Sequence, residues 1–252
     1  MPDAVAAQRL TSSGEQVPPG FPDWARQERL RVRATLLAER PAPYPCHFGT
    51  IGETGGANHY TYWDLHGEQG READAVAADL RAFVEHQRER PAERLSLLLL
   101  VGPPEPGRDF VWYRSRFWDV LSALHSRDPG PRPEGVPSDP DDPLWEFAFA
   151  GEPLFAFGTC PAYGPRRSRA LGESLVIGVQ CRSVFRTISG ATDAGRAAKR
   201  RIRRSLAEYE DVPLLSDAGD GLGSTTHKWK QYFPDVDGAP LHGTCPVHRE
   251  GA

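Results

Sequence analysis

The chain has 252 residues, a formal net charge of −4 and a sequence pI near 6.1, which excludes a general electrostatic attraction for nucleic acid or anionic membrane surfaces. Four cysteines are too few for a disulfide-dense secreted scaffold. The first residues lack the basic-then-apolar order of a signal peptide and no apolar run approaches transmembrane length, so a soluble, cytoplasmic, single-domain protein with reduced thiols is expected.

In chain order, residues 1–20 read as a flexible lead, and Ser, Pro and Gly from 11 to 20 place that stretch over the surface or leave it disordered. Pro22 and Asp23 suit a helix start, and 24–40 is rich in Arg, Glu, Ala and Leu before Pro41 and Pro43. Residues 44–49 then read as the approach to a short strand, 53–57 as a turn and 59–65 as an aromatic strand, which together predict a hairpin. Ala73, Val76, Ala77, Leu80, Phe83 and Val84 have helical spacing over 72–88. The run 95–101, Leu-Ser-Leu-Leu-Leu-Leu-Val, ends at Gly102-Pro103-Pro104 and predicts a buried central strand. Asp109 can cap a helix whose stripe is Phe110, Tyr113, Phe117, Leu121 and Leu124.

A proline-rich loop follows and runs into a second predicted hairpin across 139–158, with Gly151-Glu152 as its connection. Alternation puts Trp145, Phe147 and Phe149 on one face and Glu146, Ala148 and Ala150 on the other; Phe155 and Phe157 likewise alternate with Leu154 and Ala156. The expectation is a bulky aromatic face back to back with a small-residue face. That second face either receives a helix, the commoner case, or leaves room for a ligand, and Glu146 on it needs a partner. Beyond lie a basic turn over 159–168, a strand over 174–180 and a helix from a Thr192 cap to Tyr209. The segment 211–252 is expected to be mostly coil, with Lys228-Trp229-Lys230-Gln231-Tyr232-Phe233 as its anchor and 237–252 as a tail. Irregular alternation of helices and hairpins predicts an α+β fold with a mixed, mainly antiparallel sheet, its domain spanning 21–236.

Several residues carry chemistry. Cys46-His47 offers a thiolate or an imidazole that could serve as an axial haem ligand, against the plainer reading of a small buried hydrophobe beside a hydrogen-bonded loop histidine. Cys245-Pro246-Val247-His248 is a C-x-x-H whose ligands could join Cys46 and His47 at a zinc ion, although polar chain ends are more often loose. His59, His66, His86, His125, His227 and His242 stand singly. Arg166, Arg167 and Arg169, with Arg182 and Arg186, form either an anion clamp or a solvated turn with surface ion pairs. The basic helix over 196–204 reads as the solvated face of an element whose inner stripe is Ala198, Ile202, Leu206 and Tyr209, not as a nucleic-acid site.

Several segments together resemble the YqcI/YcgG family: Pro45-Cys46-His47-Phe48-Gly49; Phe117-Trp118 with Leu121 and Leu124-His125; 139–157 with Trp145-Glu146-Phe147 and Gly151-Glu152-Pro153; Arg167-Ser168-Arg169; 182–185; and the 229–233 anchor. Cys181 departs from the pattern, since similar proteins tend to have proline before the residue equivalent to Arg182. The resemblance implies a haem-dependent N-hydroxylase that oxidises a guanidino or amino group of a small, arginine-like substrate in specialised metabolism. It further implies that Cys46, or alternatively His47, ligates the iron of haem b, that Arg167, Arg169 and Arg182 hold its propionates, and that Glu146 or Glu152 pairs the substrate guanidinium. An electron donor outside the chain is then required, with no nucleic acid and no membrane involved. The competing expectation is a non-catalytic ligand-binding or interaction protein of the same fold without haem.

Overall fold

The computed structural model describes residues 9–39, 42–128, 130–188, 192–214, 227–237, 241 and 243–248, except for the side chains of 186–188, 194 and 248. A six-stranded sheet runs through the molecule in the order β1-β2-β3-β6-β5-β4. The strands are β1 (Thr11–Ser12), β2 (Asn58–Asp64), β3 (Ser96–Gly102), β4 (Ala148–Phe149), β5 (Glu152–Thr159) and β6 (Leu175–Cys181). The helices are α1 (Asp23–Leu36), α2 (His47–Gly55), α3 (Gln69–Glu89), α4 (Phe110–His125) and α5 (Asp193–Tyr209). Among the described residues only β2 and β3 pair in parallel, around the α3 crossover; the other four pairings are antiparallel. The fold is therefore the expected α+β arrangement with a mainly antiparallel sheet.

The apolar run at 95–101 becomes β3, buried at every position between β2 and β6, because a central strand covered on both faces has no solvent side to fill with polar residues. Its alternate side chains divide the core in two. Leu97, Leu99 and Val101 join Leu175, Ile177 and Val179 of β6 and Leu154 and Ala156 of β5 beneath Val76, Leu80 and Phe83 of α3 and Phe117, Leu121 and Leu124 of α4. Leu98, Leu100, Tyr60 and Val176 face the opposite way, toward Ala25, Val32 and Leu36 of α1 and toward Tyr44 and Tyr209.

Three local expectations are corrected. No hairpin exists across 44–65: residues 47–55 form α2, and β2 pairs with β1 and β3. Gly49, Gly52 and Gly55 make this a poor helix by propensity, yet Gly52 is needed where it is. A side chain there would drive a Cβ to within 2.3 Å of Asn58 Oδ1. The fully buried Glu53 fastens the helix end, accepting from Arg33 at 3.0 Å, from Asn58 Nδ2 at 2.9 Å and from the Tyr60 hydroxyl at 2.6 Å. Second, α1 ends at Leu36 rather than reaching residue 40.

Third, the β4–β5 turn is Ala150-Gly151, with φ of 52° and 72°, not Gly151-Glu152. Two consecutive positive φ values suit the twist of a two-residue hairpin but strain alanine. The strained peptide is held by Asp128 Oδ1, which accepts from Ala150 N at 2.8 Å, and by Arg88, which donates to Ala150 O at 2.6 Å. The register sets Ala148 opposite Pro153 and Phe149 opposite Glu152, and Leu154 N donates to Phe147 O. Cross-strand partners share a face, so Phe147 and Phe149 lie with Leu154 on the α4 side, whereas Phe155 and Phe157 point to the other side. The single aromatic face expected from alternation is split between the two faces of the sheet.

Past β4, the outer edge of β5 is closed by the anchor segment, where Gly158 N donates to Tyr232 O at 2.8 Å. Trp229, Tyr232 and Phe233 are buried there as expected, and Leu241, Cys245 and Val247 join the same core. At the other end, Thr11–Ser12 within the expected lead is the edge strand β1, and Arg9 forms a two-pronged ion pair with Glu72.

Candidate functional site

The α1 side of the sheet is unevenly covered. Over β3 it is buried, but over β5 Phe155 and Phe157 are only half-buried. Gly178 of β6 makes this surface: a Cβ there would come within 2.1 Å of the Phe157 ring tip, so the glycine leaves the room that the ring fills. Phe185 meets Phe155 edge-to-face with centroids 5.5 Å apart. Arg169 stands 5.8 Å over Phe157, and its charge reaches Cys46.

Cys46 is the N-cap of α2, and its Sγ accepts from Gly49 N at 3.4 Å. A thiol in this position experiences two opposed influences. Burial pushes its pKa up; the Gly49 and Phe48 N–H groups and the Arg169 guanidinium favour the thiolate and pull it down, with burial the larger. Beside it the Tyr44 hydroxyl donates to Ser168 O at 2.7 Å, tying the Cys46 loop to the 3-10 turn Arg167–Arg169. His47 is exposed at the first position of α2.

At the other end of the aromatic surface lies the buried Glu146. One carboxylate oxygen accepts from Arg182 Nε at 2.9 Å, the other from Lys228 Nζ, and Arg182 also leans over the Phe185 ring at 5.9 Å. The carboxylate that needed a partner has two, so the node carries a net charge of +1. Lys228 was not anticipated as a site residue; the signal for it was its place at the head of the aromatic anchor, which forces it into the interior beside Trp229.

The remaining candidates are dispersed. Arg167 donates to Tyr209 O at 2.9 Å, pairs with Asp211 at 3.3 Å and stacks on the Tyr209 ring. Arg169 donates to the carbonyls of Gly158, Gln231 and Tyr232 at 3.2–3.4 Å. Arg166, almost fully buried, clamps the carbonyls of Pro213 and Val236. Glu152 opens β5 on the opposite face, where burial, with the Glu152 charge adding to it, pushes the Cys181 thiol up to about 12. The structure thus brings Cys46 and Arg169 to one end of the half-buried surface and Glu146 and Arg182 to the other, while Arg167 and Glu152 point elsewhere. The Arg186 and His248 side chains and His242 lie outside the described residues. Cys245 is buried in the α4-side core, and among the described residues no group of three or more His, Cys, Asp or Glu side chains converges as a metal site.

A match to the YqcI/YcgG family model extends over residues 32–248, nearly the whole described structure. The chain belongs to the YqcI/YcgG family. Two relatives from Bacillus subtilis (strain 168), the uncharacterized proteins YqcI and YcgG, are 36% identical over 121 residues and 33% identical over 168 residues. These alignments cover 48% and 66% of this chain and 47% and 66% of the relatives. A third relative, from Streptomyces lavendulae, is DcsA, provisionally named as an N(omega)-hydroxy-L-arginine synthase; it is 34% identical over 140 residues, 56% of this chain and 52% of that protein. The chain thus aligns with about half to two thirds of the length of these relatives. No solved structure matches it. The described residues include no helix long and apolar enough to cross a membrane.

Proposed function

We propose that this YqcI/YcgG-family protein is a haem-dependent N-oxygenase that hydroxylates a guanidino or amino group of a small, amino-acid-like substrate. The observation that carries this reading is the pairing of a family tie to a provisionally named N-hydroxy-arginine synthase with a capped thiol beside a half-buried aromatic surface. The residues present fit the cofactor. Cys46 offers a sulfur already accepting a peptide N–H, as thiolate ligands do. Phe155 and Phe157 offer an apolar wall beside it, and Arg169 a guanidinium whose hydrogen bonds to carbonyls are long enough to be exchanged for a carboxylate.

Cys46 would hold the iron and Arg169 a propionate, with His47 the alternative ligand. Haem, when bound, supplies dioxygen activation, favoured by thiolate ligation. The protein's own part is orientation and exclusion of water. Arg182 and Lys228 would receive the substrate carboxylate, because two cations against one buried carboxylate leave a positive charge unanswered. Glu146 then acts as a positioning residue that fixes both cations, rather than as a direct partner of the substrate guanidinium. Electrons must come from a donor outside this chain.

The test is the absorption spectrum of the purified protein, before and after addition of hemin. A Soret band that is lost or shifted in Cys46→Ser, and perturbed by L-arginine, supports the reading. Protein that stays colourless and takes up no hemin overturns it in favour of a non-catalytic binding protein. An unaltered spectrum in Cys46→Ser transfers the ligand role to His47.

A further inference from the structure

Helix α5 is fixed at both ends. Thr192 Oγ1 caps it by accepting from Gly195 N at 3.0 Å, and its far end is pinned where Arg167 donates to Tyr209 O. Along it stand Arg196, Lys199, Arg200, Arg201, Arg203 and Arg204 against only Asp193 and Glu208. The helix is therefore +4 in a chain of −4, and the rest of the molecule carries −8. At 3.6 residues per turn, Arg196, Arg200, Arg203 and Arg204 fall within about 100° of arc, opposite the half-buried Ala198, Ile202 and Leu206. All four arginines are exposed. Among the described residues no carboxylate lies within ion-pair distance of Lys199, Arg200, Arg201, Arg203 or Arg204.

Such a stripe opposes helix formation, since like charges three and four apart repel. Its Arg200, Arg203 and Arg204 pair with no carboxylate among the described residues. Its position is informative: α5 packs against the 3-10 turns Arg167–Arg169 and Arg182–Ile188. Those turns carry Arg169 at the Cys46 end of the aromatic surface and Arg182 at the Glu146 end. The basic face thus lies on the layer directly outside the candidate site.

We infer that the exposed face of α5 docks a small acidic protein, and, resting on the oxygenase reading, that this partner is the one-electron carrier which reduces the site. Charge complementarity selects this occupant. A compact acidic protein can meet the Arg196–Arg204 patch, about 12 Å along the helix axis, and stay clear of the acidic remainder of the chain. A nucleic-acid duplex or an anionic membrane extends beyond the patch and is repelled there. A short, polar, charge-steered contact is also the kind that electron-transfer partners form, with fast arrival and fast release.

The experiment titrates the full chain against a fluorescently labelled plant-type [2Fe–2S] ferredoxin, and separately against a duplex DNA 20-mer, reading anisotropy at low salt and at roughly 0.2 M salt. Binding to the ferredoxin at low salt, weakened about tenfold or more in the triple variant Arg200→Glu/Arg203→Glu/Arg204→Glu and by added salt, is the expected result. Circular dichroism verifies folding, and if the reversal variant does not fold, the triple Gln variant carries the comparison with an effect of the same sign. Absent ferredoxin binding at low salt, equal binding by the folded variants, or tighter binding to DNA each overturns the proposal. The readout does not depend on haem, so a colourless protein that still binds ferredoxin through α5 keeps the docking surface and loses only the oxygenase reading. A Soret-positive protein that ignores ferredoxin does the reverse.

Discussion

The two faces of the β5–β6 half of the sheet are built from the same strands and finished differently. On the α4 side, Leu154, Ala156, Ile177 and Val179 are sealed under Phe117 and Phe233, and Gly158 is there because a Cβ would meet the Phe233 ring at 2.2 Å and Phe117 at 2.9 Å. On the other side a second glycine, Gly178, receives Phe157, but the ring above it is half-buried and bordered by a thiol, arginines and a buried carboxylate. Glycine therefore serves opposite ends. One admits an immobile core ring; the other lowers the floor of a surface that is not closed. A fold of this size reaches its stability without sealing every face, and the unsealed one is where polar chemistry gathers.

Truncation of equivalent aromatics should expose the contrast most strongly. Phe233→Ala removes a fully buried ring that touches Phe110, Phe117 and Tyr163 and is expected to cost roughly 3–5 kcal/mol in denaturant unfolding. Phe157→Ala removes a ring of the same size from the half-buried face and should cost about 1 kcal/mol, because water can follow into the space. Equal losses for the two variants would show that the α1-side surface is ordinary core.

Glu146 is the next largest. Its removal leaves Arg182 and Lys228 close together with no counter-charge, both largely shielded from solvent, and Glu146→Ala should destabilise by about 3 kcal/mol. Double replacement with Arg182→Met should recover part of that loss, since it also deletes one of the stranded charges. A Glu146→Ala variant as stable as the parent would mean that the node is not held as an ion cluster.

Much of this arrangement was legible in the sequence, and the exceptions have physical causes. The apolar run of β3, the stripe of α4 and the Asp109 and Thr192 caps all follow local rules, and each forms as those rules require. Helix α2 was not legible, because three glycines argue against it and only the tertiary contact of Gly52 with Asn58 and the burial of Glu53 explain it. Nor was the turn at Ala150, where alanine takes a positive φ that only Asp128 and Arg88, both distant in sequence, hold in place. At the site, the chemical types were readable from Cys46, Glu146 and the arginines. Their partners were not, because the second cation on Glu146 comes from Lys228 and two of the carbonyls that receive Arg169 belong to the same distant segment.

The smallest effect probes the sealed face through protons. His59 of β2 points toward α3, between Phe83 and His86 with ring centroids 5.9 Å from each, and burial holds its pKa below the ordinary 6.5. The charges of His86 and Arg90 push the same way, while the Ala57 carbonyl and Glu15 oppose them. The folded state thus binds this proton less readily than the unfolded chain, so stability is full above 6.5 and falls as pH drops below it. His125, lowered by burial and by Arg132, adds a contribution of the same sign. Urea midpoints measured between roughly pH 7.5 and pH 5.5 should decline for the parent and decline less for His59→Phe, which keeps an aromatic ring and removes the titration. A slope unchanged by that substitution would place the acid sensitivity elsewhere and leave the sealed face no less tolerant of charge than the open one.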